Sequence, residues 1–276
     1  MMRSLWTAAS GMRAQQTNVD TIANNLANVN TAGYKTQEAS FKSLLYQNLQ
    51  SKSTNNAGED KPVAAEVGLG TRVSAITSMF TQGNLTAADS PFSMAIEGDA
   101  FFQVRTPNGE LRYTRDGNFN VSPTDQGDML VTSDGNPVLD ARGNNIYLPK
   151  NYAASDLGVS QQGIVGFPDE TGNIAPLMRD GVQVQLGLYQ FSNPAGLEKT
   201  GGNNYAVTVA SGEPLQEGVN NNLTPSKVHQ YYLEGSNVDV ANEMVNLIVA
   251  QRAYEMNSKA IQATDDMMQQ ANNLRR

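Results

Sequence analysis

Five apolar residues near the end of the chain, Val240, Leu247, Tyr254, Ile261 and Met268, recur every seven positions in a stretch without Gly or Pro. A repeat of seven, as opposed to a drifting 3.6, marks the seam of a supercoiled helix. The flanking columns are mostly small or polar: Ala253, Ala260 and Met267 on one side, Met244, Gln251, Ser258 and Asp265 on the other. Ser236, with Asp239 three residues on, predicts a variant capping box at the start. A helix over residues 238–274 would span roughly 55 Å. With one narrow stripe, such a helix buries little against its own chain and needs partners.

The other end of the chain carries a matching pattern. Leu5, Ala8, Met12, Gln15, Val19, Ile22, Leu26 and Val29 alternate in steps of three and four, and only Gln15 is polar. This is a second seam of about four heptads. Gly11 weakens it by about 1 kcal/mol relative to Ala. The helix is predicted to end near Asn30, with Gly33 free to take a left-handed conformation. Two core helices of an ordinary globular domain would also fit these short heptads.

Composition narrows the function classes. The 276 residues suffice for one or two domains with a sizeable core. The net charge of −8 argues against a nucleic-acid surface. No cysteine is present, which excludes disulfides, thiol nucleophiles and thiolate metal sites, and suits a protein that leaves the cytoplasm without oxidation. No run of 18 apolar residues exists, so no membrane-spanning helix is expected. The start, MMRSLWTAASGMR, is broken by Arg13 and too poor in apolar residues for a cleaved signal peptide. The expectation is a cytoplasmic protein, or one exported without a cleaved signal.

Between the helices the pattern changes. Residues 36–50 carry Phe41, Leu44, Leu45 and Leu49, a short helix or an extended arm. SKSTNNAGEDK at 51–61 reads as a flexible loop. From residue 72 the signals are for strands. Val182, Val184, Leu186 and Leu188 alternate with Gln183, Gln185, Gly187 and Tyr189, and Tyr205, Val207 and Val209 do the same. Asp116-Gly117 and Asp134-Gly135 are hairpin signals, and turn glycines at 117, 127, 135 and 143 set a β-sandwich or barrel rhythm. The fold class is therefore α+β: terminal coiled-coil helices that pair with each other and flank a mainly-β central domain. The expected divisions are 1–34 with 236–276 as a discontinuous helical domain, 35–71 as linker, and 72–235 as the β-rich domain.

A catalytic constellation is not visible. His229 is the only histidine, and no G-x-S-x-G elbow accompanies it. Gly68-x-Gly70 lacks the rest of a dinucleotide fingerprint. Asp134, Asn136 and Asp140 loosely resemble cation ligands but fit turns better. No carboxylate pair stands in an aromatic-rich context. No catalytic, cofactor or metal residues are expected. An isolated β-domain that binds or hydrolyses cell-wall glycan remains as the alternative class.

The two ends and the middle together resemble the bacterial flagellar rod and hook family. MMRSLWTAASGMRAQQTNVDTIANNLANVNTAGYK is similar to its amino terminus, with the ANNLAN…T.GYK motif, and SNVDVANEMVNLIVAQRAYEMNSKAIQATDDMMQ to its carboxy-terminal motif. AIEGDAFFQV, YTRDGNF, LVTSDGNPVLD and LGLYQFSNPAGLEKTGGNNY are similar to its β-domain. The MMRSLW start, FKSLLYQ and the single modest β-domain look most like the distal-rod branch, with residues 46–68 matching an extra stretch there; proximal rod or hook-type subunits are the alternative. Ala100, Gln162 and Tyr231 depart from the usual Gly, Asp and Gly.

The resemblance implies a subunit exported unfolded through the type III apparatus to the flagellar basal body. There it would polymerise with itself into a shaft that carries torque, contacting proximal rod, hook and envelope-ring proteins. The implied subunit-interface residues are Leu5, Met12, Val19, Ile22, Leu26 and Val29 on the first helix, and Val240, Leu247, Tyr254, Ile261 and Met268 on the last. Asn24, Asn25 and Asn28 would fix register, and Arg252 would pair with Glu255 within or between helices. The 51–61 loop would stiffen the shaft.

Overall fold

The computed structural model describes residues 2–50, 65–125, 127–149, 156–168, 174–179, 181–219 and 223–274. The 51–61 loop lies outside them. The chain has two helices, α1 (Met2–Ala27) and α2 (Val240–Asn273), at the two ends of a mainly-β region. It forms two compact units, Met1–Ala27 with Gln37–Ser78 and Asp239–Arg276, and Asn28–Thr36 with Met79–Val238.

In the first unit α1 and α2 pack side by side, and α1 also packs on the strands Gln37–Ser43 and Thr71–Ser78. Those strands pair antiparallel with a bulge at Ser40/Phe41, and Tyr46–Gln50 pairs with Ala65–Gly68. Residues 36–50, read as a short helix or an extended arm, thus carry two strands. Ser10 Oγ accepts from Thr71 N–H at 3.3 Å, tying helix to strand. α2 starts later than Ser236: the cap is Asp239, whose carboxylate accepts from Ala241 and Asn242 N–H. Glu243 adds an acid in the first turn, where the helix dipole favours one. Ser236 Oγ instead accepts from Val238 N–H, before the helix.

The second unit centres on a six-stranded antiparallel sheet. Its order is Glu198–Gly201, Asn204–Ala206, Leu111–Thr114, Phe101–Arg105, Leu188–Gln190 and Leu215–Gln216. Phe102, Val104, Leu130, Val138, Ile146, Leu186 and Leu188 form the larger core cluster, with Phe102 and Phe119 edge to face at 5.0 Å. Phe101, Tyr113, Phe191 and Tyr205 form a smaller aromatic cluster.

One of the two expected Asp-Gly hairpins is absent. Leu111–Thr114 pairs with Phe101–Arg105 and Asn204–Ala206, whereas Phe119–Thr124 pairs with Gly127–Thr132. Asp116-Gly117 therefore links two sheets. Its glycine is required by crowding, since a Cβ on Gly117 would lie 1.6 Å from the Met94 carbonyl oxygen. Asp134-Gly135 does turn the chain, with Gly135 at φ +81° and Val131 bridged to Pro137. Val184, Leu186 and Leu188 are buried as their alternation predicts, but Val207 and Val209 lie exposed beyond the short strand Asn204–Ala206.

Candidate assembly surface and chain junction

The expected seam residues divide by burial. Ile22 and Asn25 are buried on α1. Leu5, Met12, Val19, Leu26, Asn28 and Val29 are half-buried, and Asn24 is exposed. On α2, Leu247, Ile261 and Met268 are half-buried, while Val240, Arg252 and Tyr254 are exposed. Ala250 and Thr264 are the buried residues of α2. They stand three residues after Leu247 and Ile261, and Asn257 occupies the same column three after Tyr254. A Cβ on Gly11 would lie 3.0 Å from the Asn257 amide nitrogen, so the small residue on α1 makes room for the larger one on α2. The large apolar column is legible in the sequence; this small and polar one is not.

Asn25 crosses between elements. Its Nδ2 donates to the Gln37 carbonyl at 2.8 Å and to Glu243 Oε1 at 3.4 Å, and its Oδ1 accepts from Gln37 N–H at 2.9 Å. One amide thus joins α1, the first strand and α2. Burial raises the Glu243 carboxyl above its usual value, and the bond from Asn25 opposes that rise. Arg252 and Glu255 form no ion pair with each other among the described residues.

The outer side of α2 remains open. Met244, Val245, Ile248, Val249 and Met256 are each 50–64% exposed, and Trp6 on α1 is 74% exposed. Clusters of large exposed apolar side chains mark interaction surfaces, because leaving them in water forgoes about 25 cal/mol per Å² of burial.

Within the second unit, the segments that lead to the helices are clasped together. Lys35 Nζ lies 2.6 Å from Glu234 Oε1 and donates to the Thr81 carbonyl at 2.8 Å. Arg115 Nη1 reaches Glu234 Oε2 at 3.1 Å, and Gly83 N–H donates to Oε1 at 2.9 Å. Burial pushes the Lys35 amine below its ordinary value, against the pull of Glu234. Beside them, Asn237 Oδ1 accepts from Thr36 N–H and Oγ1–H, both at 2.7 Å. Its Nδ2 donates to the Met79 carbonyl at 2.9 Å and to Thr81. Thr36, Met79 and Val238 end the segments of this unit, so one side chain gathers all three. SNVD is legible in the sequence as part of the carboxy-terminal motif but this role is not; an Asn two positions before a capping Asp is the available signal.

The residues singled out for chemistry are engaged in structure. Asp140 Oδ1 accepts from Arg142 and Asn144 N–H at 2.8 Å, closing a turn. His229 Nε2 lies 2.8 Å from Glu97 Oε2 across paired strands. Among the described residues no group of three or more His, Asp or Glu is arranged to hold a metal, and no helix is long and apolar enough to cross a membrane.

Terminal helices with an open apolar flank, around an inserted β-rich unit, place the chain among structural proteins of this build. The comparisons with known proteins identify which. Residues 5–35 match the family described as flagella basal body rod protein, 95–167 the flagellar hook protein FlgE/F/G D1 domain, and 229–274 the flagellar basal body rod FlgEFG protein C-terminal. The chain is 44% identical to the flagellar basal-body rod protein FlgG of Borreliella burgdorferi over the whole of both chains. It is 42% identical to that of Agrobacterium fabrum over 96% of this chain and 97% of the other, and 34% identical to that of Bacillus subtilis over the whole of both. The chain belongs to the flagellar basal-body rod family.

Proposed function

We propose that the protein is a structural subunit of the distal flagellar rod and polymerises through its terminal helices as a coiled coil into a torque-bearing shaft. The observation that carries this reading is the outer side of α2, where four large apolar residues within six positions stand in solvent. An isolated chain has no use for that surface; a helical polymer buries it in every subunit. The seam residues given above then form the inner layer, and assembly orders helices that are marginal alone. Similarity to basal-body rod proteins over the whole or nearly the whole chain supports the rod over other assemblies. Export through the flagellar type III apparatus, and contacts with proximal rod, hook and envelope rings, belong to the same reading.

Sedimentation against concentration, with electron microscopy of the heaviest fraction, tests it. The full chain should form rods, and V245K/I248K, altered only at exposed positions, should stay small while keeping its circular dichroism. Equal assembly by the variant would place the polymer interface elsewhere.

A further inference from the structure

We propose that the open groove between α1 and α2 is the socket for the outer stripe of α2 from a second copy. The proposal rests on the rod reading and names the contact within it. The groove, of about 500 Å³, is lined by Gln16 and Val19 of α1 and by Gln251, Tyr254 and Glu255 of α2. Tyr254 is 41% exposed there, so its ring wall is available to an incoming side chain.

The occupant is indicated by shape and by charge. Val249, Met256 and Met267 stand seven and eleven residues apart, spacings that return to one line of an α-helix. All three are more than half exposed. Flexible methionines suit a socket whose walls are uneven. Beside this stripe run Arg252 and Lys259, both exposed; beside the groove stand Glu255 and, four residues from Gln16, Asp20, also exposed. None of the four forms an ion pair among the described residues, although Glu255 stands three and four residues from the two cations on its own helix. An acidic-rimmed groove and a basic-rimmed stripe complement each other between copies.

Groove and stripe also lie on different faces. Tyr254 is five residues from Val249, about 140° around the helix axis. A copy can therefore fill the socket of one neighbour and offer its own socket to the next. Such a heterologous contact continues without closing on a pair.

The absence of cysteine allows a direct test. Q16C and M256C are made in separate full-length chains, mixed under assembly conditions and mildly oxidised. The mixture should give a disulfide-linked heterodimer, while neither variant alone should link to itself to a comparable extent. D20R/E255R and R252E/K259E should each need about tenfold more protein to associate, and the chain carrying all four changes should recover. Polymers without the heterodimer, or without recovery in the fourfold variant, would overturn the contact and leave the rod reading standing. The heterodimer in small oligomers only would keep the contact and overturn the rod reading. M256C linking chiefly to itself would mean a two-fold pairing and overturn the socket.

Discussion

Lys35 and Glu234, 199 positions apart, meet with Nζ 2.6 Å from Oε1 and neither side chain exposed. Glu234 also holds Arg115, so one carboxylate is the ion-pair partner of two buried cations. Removing it leaves both unpaired. Glu234→Ala should cost about 3–5 kcal/mol in urea unfolding, the penalty for stranding a buried charge. Lys35→Met should cost distinctly less, because Arg115 still satisfies Glu234. The opposite order would mean that the lysine, not the carboxylate, is the hub.

Asn237 uses both ends of its amide, so shape alone does not suffice. Asn237→Asp keeps the acceptor for Thr36 but turns an oxygen toward the Met79 and Thr81 carbonyls. At neutral pH the aspartate should be at least as destabilising as Asn237→Ala, about 2 kcal/mol for a network of this kind. Acid should rescue the aspartate variant alone, since a protonated carboxyl can donate again. Melting temperatures of both variants at pH 4 and 7 decide the point.

Two left-handed residues should respond in opposite directions. Gly33, at φ +68°, has no room for a Cβ, which would lie 2.7 Å from Asp116 N. Gly33→Ala should therefore destabilise by about 2–4 kcal/mol through strain and overlap together. Tyr231 holds φ +64° at an exposed position. Tyr231→Gly relieves that conformation and should stabilise by up to about 1 kcal/mol, read as a higher urea midpoint with unchanged slope.

Burial raises the Asp116 carboxyl above its ordinary value, an effect opposed by the bond from Asn118 N–H. A raised carboxyl favours the folded state in acid, and that gain is lost as pH rises through the folded value. Asp116→Asn lacks this titration while keeping the acceptor. Relative to wild type, the variant should therefore gain stability as pH is raised from 4 to 7. A constant difference across that range would show that Asp116 titrates alike folded and unfolded.

Much of the fold was legible because it rests on periodicity. The heptads of Leu247, Ile261 and Met268 locate α2, and the alternation of Val184, Leu186 and Leu188 locates a buried stretch of the β-rich unit. Position along the chain was harder to read. Asp116-Gly117 has the chemistry of a hairpin turn, yet its glycine answers the Met94 carbonyl, a neighbour that no local pattern names. The small column of Ala250, Asn257 and Thr264 carries no hydrophobic signal, although Ala250 and Thr264 are the buried ones. The Lys35, Glu234 and Asn237 clasp depends on partners about two hundred residues away, so only the folded chain brings it into view.

The hydrogen bond from Gly33 N–H to the Glu234 carbonyl, 2.8 Å long, brings the outgoing and returning chain together at the foot of the β-rich unit. A unit whose ends meet behaves as a cartridge. Within residues 79–234, the parts away from Thr81, Gly83 and Arg115 could be enlarged, trimmed or exchanged for another insert without changing the spacing that the flanking chain must bridge. The same pair of helices could thereby be fitted, over evolutionary time or by grafting, with outer parts of quite different size.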